Sequence, residues 1–366
     1  MDLLLRGEWS SFVISTFMTI YFQMSLLYRE RKRYNTTNYS GVKPINRKAL
    51  SRIPLSKLMD LTVDYAFKQM FGSEKNKRIT IVFLNAILQR TGRDTIKEVE
   101  FTSQEVGGEY KDDKQSRLDI VVRTQKGDLI NMEVQLSNEH NMFKRTLYYW
   151  SRLYTSQLSK GMGYHTLLPT ITINICHFTV FDKNTYYHNT FHLYEDSTMQ
   201  RISDSDEVLE VHFIEMNKFL HMWSRNELNA FDDILVRWLL LLGMVDARKE
   251  KVYNQIYQEL EELAMKDEIL ANAFSAWEQL SKSKEDVLAY ESRLKYILDE
   301  EAKLEDVKYM AEKKGREEGR EEGREKGILE EKEETVRKLL AKKMDVDFIA
   351  EVTGLTVERI NEITSL

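Results

Sequence analysis

The sequence predicts a mixed α/β fold with a mostly helical C-terminal extension, and three observations carry that expectation. Short β-branched runs alternate with apolar positions at helical spacing through the first half of the chain, the pattern of a sheet layered with helices. From Glu227 onward the apolar spacing is almost wholly helical, and only three prolines interrupt 366 residues. Hydrophobic residues make up 42% and charged residues 31%, enough for a packed core and too apolar for wholesale disorder.

Residues 1–57 read as an N-terminal extension and basic linker. No side chain from Trp9 to Tyr28 is charged, and Arg29, Arg31, Lys32 and Arg33 follow at once, which is the outline of a membrane anchor. Seven hydroxyl or amide side chains between Ser10 and Ser25 dilute it, and no small-residue cleavage site precedes the basic cluster. The expectation is therefore an extension rather than a span, with Met59 as an alternative first residue.

An α/β domain is expected over residues 58–225. Thr62–Phe71 reads as a helix stopped by Gly72, and Ser73 as the cap of a second helix bearing Ile79, Val82, Phe83, Ala86 and Ile87. Three strand-like runs follow, Ile96–Phe101, Arg117–Thr124 and Leu129–Leu136. A helix over Asn141–Lys160 carries Phe143, Leu147, Trp150, Tyr154 and Leu158 as its apolar stripe and closes at Gly161; Arg145, Tyr149 and Arg152 share the opposite face. Strands are then expected at Thr170–Phe178, Thr190–Tyr194 and Val208–Ile214, with Cys176 as a buried small hydrophobe.

Residues 226–310 read as a helical domain. Residues 311–334 form a charged spacer with Gly315, Gly319, Gly323 and Gly327 four apart, either a solvated helix or a frayed linker. The tail, 335–366, resembles a helix-turn-helix, with Gly354 in the turn and Thr356 capping the second helix. Glu358 and Glu362 stand where a DNA-reading helix wants Arg or Asn, so this helical C-terminal region is read as a docking or homo-oligomer module.

Several function classes drop out. One cysteine, Cys176, excludes a disulfide scaffold and any multi-cysteine zinc site, and suits a cytoplasmic protein. A net charge of −6 argues against coating nucleic acid by charge alone. No Gly-x-x-x-x-Gly-Lys-Ser/Thr loop exists, so no nucleotide cofactor is expected. His188 and His192 are four apart but lie in a loop-to-strand segment without the glutamate of a helical zinc site.

The chemistry is concentrated in Ser116–Val122 and Asn131–Leu136, apolar strands that each carry a carboxylate a buried strand does not need. Period-two alternation puts Asn131, Glu133 and Gln135 on one face and Ile130, Met132, Val134 and Leu136 on the other. Gln125-Lys126-Gly127 fits a three-residue hairpin loop, with Gly127 supplying the left-handed position. Such a loop pairs residues whose numbers sum to 252, which sets Asp119 opposite Glu133 on the same face. Two facing carboxylates need positive charge between them, and Mg²⁺ with its oxygen ligands is the natural candidate, Mn²⁺ its substitute.

Asp119 and Glu133-x-Gln135 stand between an upstream helix carrying Asp64-x-x-Phe67-Lys68 and a downstream Arg145-x-x-Tyr148-Tyr149-Trp150. This arrangement resembles the PD-(D/E)xK nuclease superfamily. Phe83–Leu88, Tyr148–Tyr154 and Ile349–Leu355 are similar to phrases of its recombination-promoting nuclease and transposase family. The resemblance covers roughly residues 58–310, the tail more loosely, and none of the first 50.

It implies an αβββαβ core and metal-dependent hydrolysis of DNA phosphodiesters, linked to recombination or transposition. It assigns Asp119 and Glu133 to the ion, with the Val134 carbonyl joining them, and Asp64 as the acid that completes such sites. Gln135 replaces the usual lysine: an amide can orient water but brings no positive charge, so Lys68, Lys144 or Arg145 would compensate. Arg145, Tyr149 and Arg152 suit phosphate contact and stacking on DNA. Between Leu58 and Val180 there are 16 Lys and Arg against 14 Asp and Glu, so this region is locally basic in an acidic chain. The rival readings are a catalytically silent DNA-binding or transposition-accessory protein on the same fold, and a protein tethered to a membrane by Trp9–Tyr28.

Overall fold

The structure, a computed structural model, describes residues 53–102, 105–106, 116–138, 141–202 and 208–365. The uncharged stretch Trp9–Tyr28 and nearly all of the basic linker lie outside the described residues.

Six strands form one mixed sheet: β1 (Val99–Phe101), β2 (Ile120–Thr124), β3 (Leu129–Gln135), β4 (Thr170–Cys176), β5 (His188–Phe191) and β6 (Leu209–Glu215). Their order across the sheet is β1-β2-β3-β4-β6-β5. β1, β2 and β3 pair antiparallel, β4 lies parallel to both β3 and β6, and β5 closes the edge antiparallel to β6. The parallel step from β3 to β4 needs a crossover, which the helix Met142–Thr155 supplies.

The β2–β3 register has the expected sum. Ile120 faces Met132 and Val122 faces Ile130, and Gly127 takes φ +93° in the connecting loop. Its positive φ demands glycine there, and a Cβ would also stand 2.5 Å from Leu168 Cδ1, displacing that side-chain tip. β3 and β4 are buried almost throughout, as strands covered on both faces must be.

α1 (Asp64–Phe71) and α2 (Lys77–Leu88) lie on the Ile130/Met132 side of the sheet. Phe67, Phe71, Phe83 and Trp238 form its aromatic centre, with ring centroids 4.7–6.3 Å apart. Ser73 does not cap α2. A 3-10 turn, Glu74–Asn76, intervenes, and Asn76 Nδ2 donates back to the carbonyls of Gln69 and Met70 at 3.2 and 3.1 Å.

α3 (Met142–Thr155) covers the other face, and here the sequence stripe was misplaced. Its buried residues are Met142, Thr146 and Leu153, while Phe143 is 40% exposed and the helix ends before Leu158. Tyr149, expected on the solvent side, packs against a cluster of Leu118, Val121, Leu129 and Leu153. The sheet beneath it is apolar at Val121 and Leu129 and polar at Asn174. Thr146 Oγ1 donates to Asn174 Oδ1 at 3.1 Å, so this face accepts a hydroxyl where a bulk-hydrophobic rule looks for Leu147.

Four further helices, α4 (Met216–Ser224), α5 (Ile234–Gly243), α6 (Asn254–Ala264) and α7 (Glu268–Lys282), share the core of the first half. Met59 is stitched to α7 by its own N–H to Ser281 Oγ at 3.1 Å and by Trp277 Nε1 to its carbonyl at 2.9 Å. Contacts divide the chain between Leu294 and Lys295, inside the segment read as one helical domain. The dividing point falls within α8 (Lys284–Ala341), which runs through the four-residue glycine repeat as an unbroken helix. In the second unit α9 (Val346–Thr353) and α10 (Val357–Ser365) flank Gly354 at φ +66° and pack Ile349, Ile360 and Ile363 on Val336. Thr356 Oγ1 accepts from the Arg359 amide at 3.3 Å, the expected cap.

Candidate functional site

The hairpin register delivers two carboxylates to one place. Asp119 lies just before β2 and Glu133 near the end of β3, on the face beneath α3. The Asp119 amide donates to Glu133 Oε1 at 3.1 Å, and the Val134 amide donates to Asp119 Oδ2 at 3.0 Å. Each acid is thus held by the backbone beside the other. Asp119 is 7% exposed and Glu133 only 2%.

Burial alone pushes the Glu133 carboxyl up, the neighbouring Asp119 charge pushes it further, and it reaches about 8. Asp119 is also raised by burial, against the pull of Lys68. Lys68 comes from the last turn of α1 and places Nζ 2.9 Å from Asp119 Oδ1. Helix geometry explains its reach: Phe67 and Phe71 anchor the buried stripe, which leaves Lys68 at the rim with a long flexible stem. Gln135 Nε2 makes a long 3.4 Å contact with Glu133 Oε2. The Arg145 charge favours the ionised form of Glu133, and its Nε donates to Tyr149 Oη at 3.2 Å while its Cζ lies 5.3 Å from that ring's centroid.

Other expected residues are placed differently. Asp64 sits one turn before Lys68, but its carboxylate is held by Arg293 Nε at 2.8 and 2.9 Å. Its charge still raises Asp119 as the smallest of the influences on that group. Lys144 is exposed on α3, and Arg152 is half-buried further along the same helix. Arg293 escaped the sequence reading altogether, since nothing in a charged helix marks the one arginine that folds back 229 residues. Asn174 had a visible signal: an amide inside the β-branched run Thr170–Cys176, at the register position beside Glu133.

The donor set fits a hard divalent cation. Two buried carboxyl groups meet, one Asp119 oxygen faces an ammonium, and Glu133 Oε2 makes a long amide contact. Among the described residues, no group of three or more His, Cys, Asp or Glu is placed to hold a metal ion, so the candidate rests on two carboxylates. Also among the described residues, no helix is long and apolar enough to cross a membrane.

The mixed sheet presents an aspartate and a glutamate from one antiparallel hairpin under a crossover helix, an arrangement consistent with an α/β nuclease core. The chain belongs to the PD-(D/E)XK nuclease family transposases, whose family model matches residues 61–307. Membership supports a nuclease- or transposase-related function, with DNA as the substrate the family implies. No curated protein and no solved structure matches the chain.

Proposed function

We propose that this protein is a Mg²⁺-dependent DNA endonuclease serving recombination or transposition in the cytoplasm. The observation that carries the reading is the reciprocal backbone lock between Asp119 and Glu133, with Lys68 against Asp119. Two carboxyl groups are brought together and buried at a cost that a solvent-facing hairpin would avoid. Asp119, Glu133 and the Val134 carbonyl would hold the ion, which when bound supplies Lewis-acid polarisation and an acidified water.

This chain's own groups then have distinct tasks. Gln135, half-buried beside Glu133, orients the attacking water through its amide. Lys68 provides the positive charge that Gln135 lacks, from α1 rather than from β3. Arg145, braced by Tyr149, Lys144 at the surface and Arg152 further along α3 supply the phosphate contacts. Asp64, clamped by Arg293, fixes the approach of α1 and adds negative charge near Asp119.

Gln135 favours one alternative, a silent DNA-binding accessory of transposition, because a neutral amide stands at a position where positive charge is usual. Supercoiled plasmid incubated with the purified full chain and Mg²⁺, then with EDTA, separates the two. Nicking that needs Mg²⁺ and disappears in Asp119→Ala and Glu133→Ala supports the nuclease. Retained binding without cleavage supports the accessory, and cleavage unchanged in either variant discards this site.

A further inference from the structure

On the sheet face beneath α3, Asn131 Oδ1, Asn131 Nδ2 and Thr172 Oγ1 are buried without a partner at full hydrogen-bond geometry, while the Asn131 side chain favours the ionised form of Glu133. Asn131 is 1% exposed and Thr172 fully buried. The two residues are register partners across β3 and β4, and Val121 flanks Asn131 on its other side. Glu133 follows Asn131 by two residues on the same face, about 7 Å along the strand.

Three neighbours, Val121, Leu129 and Asn174, offer no relief. Val121 and Leu129 are apolar, and the Asn174 amide is already committed to His212 O at 3.1 Å and to Thr146 Oγ1 at 3.1 Å. A domain does not leave three such atoms unsatisfied in one spot, because the loss would consume a sizeable part of its net stability. A water needs two to four polar partners, and Asn131 and Thr172 offer three polar atoms.

We propose that Asn131 and Thr172 hold one ordered water beneath α3, and that Asn131 is thereby a positioning residue for Glu133. The water accepts from Thr172 Oγ1 and donates to Asn131 Oδ1. That fixes the amide so that Nδ2 points along the strand toward the Glu133 carboxylate. The inference rests on the reading of Glu133 as an ion ligand and adds the group that holds its orientation, the way outer hydrogen bonds set ligands at metal sites.

The test uses the full chain and Mn²⁺ as the probe, with calorimetric affinity, a high-resolution crystal structure and a circular-dichroism melt for each variant. Asn131→Leu keeps the shape and removes both polar atoms; Thr172→Val removes the hydroxyl; Asn131→Ser keeps a polar group as the conservative control. The expected result is a water within hydrogen-bond distance of both side chains, absent in Asn131→Leu. Mn²⁺ should bind about 10–100-fold more weakly in Asn131→Leu, with a cooperative melt that shows a folded chain, and with substantial recovery in Asn131→Ser. A dry site, or unchanged affinity in Asn131→Leu while Asp119→Ala abolishes binding, overturns the positioning role and leaves the ion site standing. Wild-type affinity in Asp119→Ala overturns the ion site itself, and the role of Asn131 with it.

Discussion

Asp119 and Glu133 are bound to each other's backbone rather than merely near each other: the Asp119 amide reaches Glu133 Oε1, and the amide after Glu133 reaches Asp119 Oδ2. The hairpin therefore cannot shift without breaking both contacts, and the distance between the acids is a property of the strand register. That relationship ties stability to chemistry in this protein.

Lys68 is the first place to test it. Replacing it with Met keeps the stem against α1 but leaves Asp119 buried without its ammonium. Unfolding free energy should fall by about 2 kcal/mol, the scale of a lost hydrogen bond to a charged group. Plasmid cleavage should fall by about 100–1,000-fold, as for removal of one group that stabilises developing charge. Urea denaturation and single-turnover cleavage measure the two separately; cleavage at the wild-type rate would remove Lys68 from the chemistry.

Glu133 gives a pH dependence whose sign can be worked out. Its folded value, about 8, lies above the ordinary glutamate range, so the folded state binds a proton more tightly than the unfolded chain. The metal-free protein thus holds this contribution at low pH and loses it as pH rises toward 8. A cation must displace that proton, so Mn²⁺ affinity should rise over the same interval with proton release detectable by calorimetry in two buffers. In Glu133→Gln both the stability slope and the proton release should shrink.

Asp60 predicts the same sign at a different place. This buried carboxyl is raised to about 6 by burial, although it accepts hydrogen bonds from Thr62 and the Ala247 amide. Stability should decline between about pH 4 and 7 as it ionises. Urea midpoints across that range should flatten in Asp60→Asn relative to wild type, and an unchanged slope would assign the decline elsewhere.

Gly127→Ala tests the register. The substitution meets Leu168 Cδ1 at 2.5 Å and forces a side chain onto φ +93°. It should cost about 1–3 kcal/mol from strain and overpacking, read as a lowered urea midpoint, and should weaken Mn²⁺ binding at the far end of the same hairpin.

Much of this was legible because backbone rules are local. Gly127 and a three-residue loop were enough to pair Asp119 with Glu133, and β-branched runs marked the strands that became β2, β3, β4 and β6. The inward face of α3 was not, because Thr146 meets Asn174 and Tyr149 meets the Leu118, Val121 and Leu129 side chains, a patchwork that exists only once the strands are paired. Asp64 illustrates a longer range still: its first-turn position on α1 is readable, but its partner Arg293 is set by tertiary packing alone.

The most direct measurement is a crystal of the full chain soaked in Mn²⁺, with anomalous difference density recorded at the metal's edge. A peak coordinated by both Asp119 and Glu133 is the predicted result. A peak bound to only one of them, or none at saturating Mn²⁺, would contradict the account.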